Sequence, residues 1–147
     1  MELKNEVLRE VGALGRCVQS VCDAKFRSLQ LQRGQFIFLA RICEMPGIHP
    51  QQLALLLKVD KATVTKAVQK LMAAGYIRRE QNPEDQRSCC LYPEEKGSAA
   101  YEEILAEENV NVDCCLQGLS AEEADLVVRI LQKMNKNMED RWKLIKQ

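Results

Sequence analysis

Two short helical patterns lie back to back in residues 49–92, and a charged hairpin pattern follows them directly. Pro50 suits the first position of the first helix, because its missing N–H would have no partner there. Asp60 is a favourable N-cap for the second helix, because its carboxylate can accept a backbone N–H from the first turn. Gly75 suits the left-handed position that ends a helix. This segment constrains the fold more than any other, and it predicts a winged helix-turn-helix.

The second helix of the pair has two chemically different sides. Its apolar residues recur at helical spacing and predict a buried stripe of Val64, Ala67, Val68 and Leu71. The other faces carry Lys61, Ala62, Thr63, Thr65, Lys66, Gln69 and Lys70. Lysine neutralises phosphate, and threonine offers a hydroxyl and a methyl group to base edges. These seven residues are therefore predicted to contact DNA in a major groove. An ordinary solvated surface is the alternative interpretation.

The hairpin pattern carries three arginines. Strands are predicted over Tyr76–Glu80 and Arg87–Tyr92, with a turn-forming run at residues 81–86 between them. Arg78, Arg79 and Arg87 make the hairpin positive, and an arginine at a hairpin tip can enter a minor groove. Asp85 is predicted to brace the guanidinium of Arg87 through a bidentate pair. An ordinary surface ion pair of little energetic consequence is the alternative.

Long amphipathic helices are predicted at both ends of the chain. The predicted helices outside the central pair are Leu3 to about Leu29, Arg33–Glu44, Pro93 to about Leu116, and Ala121 to the C-terminus. The first of them carries a near-heptad seam of Val7, Val11, Leu14, Val18 and Val21. A helix about 40 Å long is too long for a small domain to cover, which predicts a second chain against it. Packing only within its own domain is the alternative.

Composition and charge fit one mainly helical domain. The chain has 147 residues, of which 46% are apolar and 5% aromatic. We expect a mainly α fold with a small β wing, in which a winged helix-turn-helix lobe (33–93) is flanked by dimerisation helices (1–32 and 94–147). Residues 49–92 carry 7 basic and 4 acidic side chains, whereas residues 93–125 carry 1 basic and 10 acidic ones. The acidic block repels phosphate and is expected to lie away from DNA.

No sequence feature predicts export, a membrane span or catalysis. The chain lacks a run of 18 uncharged apolar residues, and its N-terminal segment lacks the apolar core of a signal peptide. A cytoplasmic protein without a membrane partner is therefore expected. The motifs GxSxG and HExxH and a phosphate-binding glycine loop are also missing from the sequence. We expect neither enzyme activity nor a cofactor.

The seven cysteines do not predict a disulfide framework. They are Cys17, Cys22, Cys43, Cys89, Cys90, Cys114 and Cys115, and no CxxC accompanies the single histidine. An odd number of cysteines without an export signal favours free thiols, and the spacing predicts no zinc site. We expect most of them to be small buried apolar residues. The redox candidates are Cys17 in the first helix and Cys89 and Cys90 in the wing, which follow Arg87 closely.

The order of elements resembles the MarR family (multiple antibiotic resistance regulators) of bacterial transcription factors. The matching segments are Leu53-Ala54, the stretches Val59–Lys66 and Leu71–Arg79, Asp85-Gln86-Arg87-Ser88 in the wing, and Lys96-Gly97. The resemblance covers nearly the whole chain, and the wing motif is its most specific part. Two positions depart from the pattern. His49 replaces the common Thr or Ser cap, and Pro93-Glu94 replaces the usual Leu-Thr.

The resemblance implies a homodimer that binds double-stranded DNA at an inverted-repeat operator. The residues that match major-groove positions of the family are Lys61, Thr63, Thr65, Lys66 and Lys70. Arg87 matches the wing arginine that enters the minor groove, and Asp85 matches its brace. Many members are repressors released by a small aromatic or phenolic effector, and others respond to cysteine oxidation. The tyrosines that serve the reactive cysteine of the peroxide-sensing branch have no counterpart around Cys17.

Three hypotheses about function follow. The leading one is a DNA-binding regulator, acting as a repressor released by a small molecule or, alternatively, as a redox sensor of the same fold. The second is a winged-helix protein-interaction module without DNA binding, which the retained Lys61, Lys66, Lys70 and Arg87 disfavour. The third is a thiol redox enzyme, which the absence of a CxxC motif disfavours.

Overall fold

The computed structural model describes residues 1–85 and 87–146, and the fold is mainly α with a small hairpin. Its helices are α1 (Val7–Lys25), α2 (Gln35–Glu44), α3 (Pro50–Leu57), α4 (Lys61–Ala73), α5 (Glu95–Leu116) and α6 (Ala121–Lys146). The strands are β1 (Ile77–Gln81) and β2 (Cys89–Pro93). The predicted fold class is confirmed. The chain divides into two compact units, Met1–Asn109 and Val110–Gln147.

One hydrophobic core fills the first unit. It takes fully buried side chains from four elements, namely Leu39 of α2, Leu53 of α3, Leu91 of β2 and Ile104 of α5. The apolar stripe predicted for α4 faces the same core, and each of its four side chains is only 1% exposed. Burial of one whole side of α4 leaves its polar side for solvent or a partner.

The hairpin is attached to the start of α3. Strands β1 and β2 pair antiparallel, with Ile77 opposite Pro93 and Gln81 opposite Cys89. Ile48 adds an isolated bridge on the other edge of β2, where the backbone N–H of Leu91 donates to the carbonyl of Ile48 at 3.0 Å. Backbone hydrogen bonds therefore fix the wing to the helix-turn-helix that it follows in the sequence.

Several predicted boundaries are wrong by one to four residues. Helix α1 ends at Lys25, not near Leu29, because the chain tightens into a short 3-10 helix (Arg27–Leu29) and then reaches Gln30, which has a positive φ angle. Helix α2 begins at Gln35 rather than Arg33, because Arg33 and the next residue have positive φ angles. Both strands begin later than predicted, at Ile77 and Cys89.

The predicted helix ends are confirmed where the sequence supplies a cap. Asp60 is the N-cap of α4, Gly75 and Gly118 have positive φ angles, and Pro50 opens α3. A capping box forms at the start of α6, where Ser120 and Glu123 exchange hydrogen bonds of 3.0 and 3.1 Å.

The terminal helices expose apolar side chains. In α1 the seam residues Val7, Val11, Leu14 and Val21 are exposed. Helix α6 has no buried residue, although it carries a long apolar stripe. No helix among the described residues combines the length and hydropathy needed to cross a bilayer.

Candidate nucleic-acid interface

Helix α4 presents all seven of its predicted DNA-facing residues to solvent. Its first turn is fixed by Asp60, whose Oδ1 accepts the backbone N–H of Thr63 at 2.7 Å. The hydroxyl of Thr65 donates to the carbonyl of Lys61 at 2.9 Å. Thr65 therefore offers a lone pair and a methyl group to a partner, whereas its hydroxyl proton is already used.

The far end of α4 is held by the start of α5. Lys96 Nζ donates to the carbonyl of Ala74 at 2.6 Å and lies 4.4 Å from the ring centre of Tyr76. The hydroxyl of Tyr76 donates to the carbonyl of Leu29 at 2.6 Å, and burial raises the pKa of this tyrosine. A Cβ on Gly97 would clash with the carbonyl oxygen of Tyr76, so only glycine fits there. A helix C-terminus favours a nearby cation, and Lys96 supplies that cation at the end of α4. The sequence did not predict this role for Lys96.

The tip of the wing is organised by Asn82 and Asp85. Asn82 Oδ1 accepts the backbone N–H of Glu84 at 3.0 Å, and Asp85 Oδ1 accepts the backbone N–H of Arg87 at 3.0 Å. The backbone N–H of Ser88 then donates to the carbonyl of Asp85 at 3.1 Å. These local bonds occupy the N–H groups that a longer strand would need, which explains why β2 starts at Cys89 rather than at Arg87.

The predicted contact between Asp85 and the guanidinium of Arg87 takes a different form. Within the described residues no ion pair joins the two side chains, and the carboxylate binds the Arg87 backbone instead. Asp85 therefore positions Arg87 by fixing its main chain. The Arg87 side chain is exposed, so its guanidinium extends from the wing towards solvent.

Arg78 makes contacts within the wing, whereas the sequence predicted only that it adds positive charge to the hairpin. Its guanidinium donates to Glu80 Oε1 at 2.9 Å and to the carbonyl of Pro93 at 3.1 Å, and it lies 5.0 Å from the ring centre of Tyr92. The hydrogen bond to Glu80 raises the pKa of Arg78. This arginine links the two strands although it is exposed, as Arg79 and Arg87 also are.

A cleft of about 640 Å³ lies between the wing, the start of α3 and the start of α4. Its lining residues are mostly polar or cationic, and they are His49, Pro50, Gln51, Gln52, Lys61, Asn82, Asp85, Arg87, Ser88 and Cys89. The cleft thus brings Lys61 and Arg87, two of the predicted DNA contacts, to one surface. Sequence reasoning did not place His49 there.

The cysteines are less buried than predicted. Only Cys22 is buried; Cys17, Cys114 and Cys115 are exposed, and the other three are half-buried. The expectation that most are core residues is wrong for this chain, because α1 and α5 carry cysteines on their open sides. Burial, together with the charge of Glu44, raises the pKa of Cys43 to about 11. Among the redox candidates, Cys89 lines the cleft, whereas Cys17 lies on the open face of α1.

Comparison with known proteins identifies the family. A MarR family model matches residues 29–88, which contain the helix-turn-helix and most of the wing. The uncharacterized HTH-type transcriptional regulator YybA of Bacillus subtilis is 34% identical over 142 residues, or 97% of this chain and 95% of that protein.

The chain belongs to the MarR family of transcriptional regulators. Among solved structures, a MarR protein from Peptoclostridium difficile is 47% identical with a TM-score of 0.92, covering 98% of this chain and 94% of the other. A MarR family regulator from Listeria monocytogenes, solved with a 26mer DNA, is 33% identical with a TM-score of 0.94, covering 98% and 95%. Membership confirms the resemblance drawn from the wing motif.

Proposed function

We propose that this protein is a homodimeric repressor that binds double-stranded DNA at an inverted-repeat operator and is released by a small aromatic or phenolic effector. One observation carries the DNA-binding part. The apolar stripe of α4 is fully buried, its lysines and threonines are all exposed, and the cleft joins its first residue to Arg87 of the wing.

We propose different roles for the exposed residues. Lys66 and Lys70 are four residues apart on α4 and so share one face, where they neutralise phosphates or bind guanine edges. Ala62, Thr65 and Gln69 offer smaller groups to base edges. Arg87 projects from a turn held by hydrogen bonds, and it enters the adjacent minor groove. The relative from Listeria monocytogenes was solved with a 26mer DNA, which supports DNA binding by a chain of this fold.

The homodimer is supported by the exposed apolar faces of the terminal helices. Several hundred Å² of contiguous apolar surface is unusual on a monomer and marks an interaction site. Helix α6 exposes Leu126, Val127, Val128, Ile130, Met138, Leu144 and Ile145. A two-fold dimer presents two copies of α4, which is why the operator is expected to be an inverted repeat with half-sites about one helical turn apart. The effector part of the proposal rests on family membership.

An oxidation-responsive regulator is the second candidate, and one observation favours it. Cys89 lines the cleft together with Arg87 and Lys61, so an oxidised or modified thiol there would change the surface that meets DNA.

The DNA-binding proposal is tested by fluorescence anisotropy on a duplex selected from a random pool. Lys66→Ala and Lys70→Ala are each expected to weaken binding about tenfold, and loss of a phosphate contact lowers the slope of log affinity against log salt by about 1. Lys136→Ala in α6 removes the same charge from an exposed helical position and is the matched control. Unchanged affinity and slope in both α4 variants would remove α4 from the interface.

A further inference from the structure

The single histidine of the chain joins two elements of the DNA-facing surface. The backbone N–H of His49 donates to Gln52 Oε1 at 3.0 Å in the first turn of α3. Its ring Nδ1 lies 2.9 Å from the carbonyl oxygen of Cys89, at the start of β2. The ring thus ties the wing to α3, and it forms part of the wall of the cleft.

The carbonyl of Cys89 decides where the ring carries its proton. A carbonyl oxygen only accepts, so Nδ1 must be the donor in this hydrogen bond. In the neutral imidazole, Nε2 then carries a lone pair and would repel an anion in the cleft. In the imidazolium form, Nε2 carries a proton and donates. Protonation therefore changes Nε2 of a cleft-lining residue from an acceptor into a charged donor.

The surroundings of the ring favour an anion. Lys61 faces the cleft from α4, and Arg87 faces it from the wing. Among the described lining residues the one acid is Asp85, whose Oδ1 is already occupied by the backbone N–H of Arg87, and the other titratable group is Cys89. A further cation at Nε2 adds to the positive charge of the cleft. A phosphodiester, which stays ionised throughout the range in which histidine titrates, is the matching ligand.

We propose that His49 is a DNA-contacting residue whose imidazolium Nε2–H donates to a backbone phosphate seated in the cleft, so that DNA binding takes up a proton. The proposal rests on the DNA-binding function proposed above. Because the bound state favours the protonated ring, affinity rises as the pH falls. Because His49 is the only imidazole, the chain offers no second histidine to produce the same effect.

The experiment is a set of anisotropy titrations on the selected duplex at about pH 6, 7 and 8, with the full-length protein. The parent is expected to bind more tightly at the lowest pH than at the highest by about tenfold per half-site, the scale of one charge-assisted hydrogen bond. The salt slope is expected to be steeper by about 1 per half-site at the lower pH. His49→Asn keeps an amide donor near the Nδ1 position and a favourable N-cap, but it does not titrate. Its affinity should be the same at all three pH values.

The control is Glu108→Gln in α5. Burial raises the pKa of Glu108, which makes it a second group whose titration moves towards neutral pH. It does not line the cleft, and the variant should keep the pH dependence of the parent. A flat profile in the parent, or an equal profile in parent and His49→Asn, would overturn the proposal even where DNA binding itself is intact. Absence of DNA binding by the parent at every pH would instead refute the function on which the proposal rests.

Discussion

Helices α4 and α6 are both amphipathic, but they use their apolar faces differently. The apolar stripe of α4 is completely buried in the core of its own chain, and its polar side is open. Helix α6 exposes apolar side chains from Leu126 to Ile145, and it has no buried residue. The apolar side of α4 is covered within a single chain, whereas the exposed apolar side chains of α6 are those that the proposed homodimer would cover. The same sequence periodicity thus accompanies a buried face in one helix and an exposed face in the other.

Matched leucine truncations give the largest expected contrast between the two helices. Leu71 of α4 is 1% exposed, and Leu71→Ala should lower the free energy of unfolding by about 2–5 kcal/mol because it leaves a cavity. Leu144 of α6 is 71% exposed, and Leu144→Ala should leave the core intact and weaken self-association instead. Urea denaturation at two protein concentrations separates the effects. If both variants lose the same free energy of unfolding at both protein concentrations, the proposed difference between the two helices is wrong.

Two glycines extend the comparison to backbone packing. Gly97→Ala places a Cβ against the carbonyl of Tyr76 and should cost about 1–3 kcal/mol by overpacking. A Cβ added to Gly15 of α1 would meet no atom within 4 Å outside the local backbone of its own helix. Gly15→Ala should stabilise that helix by about 0.5–1 kcal/mol. Thermal denaturation measures the stability of both variants. If the Gly15 variant is destabilised and also dissociates, a second copy of the chain lies close to α1.

The contrast between buried and open faces is predictable from the sequence, whereas the pairing of side chains is not. The spacing of Val64, Val68 and Leu71 suffices to predict which side of α4 is buried. The end of α1 escapes prediction because the stretch after Lys25 contains no nearby glycine or proline, and the left-handed conformation there falls on Gln30.

Side-chain roles in the wing depend on register, which local patterns do not provide. The sequence predicts that Arg78 adds positive charge to the hairpin surface. The pairing of β1 with β2 instead places its guanidinium over Tyr92, beside the carbonyl of Pro93. The N-cap position of His49 in α3 is confirmed. Its bond to Cys89 joins residues 40 positions apart and could be found only in three dimensions.

Arg87→Ala tests whether the exposed arginine of the wing contributes to DNA binding rather than to stability. The guanidinium is exposed and its backbone is held by Asp85, so the thermal midpoint should change little. DNA affinity should fall about tenfold, a loss of about 1.4 kcal/mol, together with the preference for A·T-rich flanks. Asp85→Ala should give a milder loss, because it frees the main chain of the turn. Equal affinity of Arg87→Ala and the parent on the selected duplex would refute the wing assignment.

Oxidation should have the smallest effect. Mild peroxide is expected to leave DNA binding unchanged, because a raised pKa keeps the Cys43 thiol protonated and no tyrosine assists Cys17. The measurement is a DNA titration with and without peroxide, repeated on a variant with Cys89→Ser and Cys90→Ser. Loss of binding that the double variant resists would make the wing an oxidation switch and would replace the small-molecule effector in the proposal.

Sedimentation measures how many chains the protein contains, both free and bound to its selected duplex. It tests most directly the proposal that α4 packs within one chain and that α6 packs against a second chain. The chain has a mass of 16.7 kDa. We predict a free species of twice that mass at micromolar concentration and two chains on each inverted-repeat duplex. A variant truncated after Met138 should shift the free protein towards the single-chain mass. A parent protein that sediments as one chain, and binds DNA as one chain, would contradict the account.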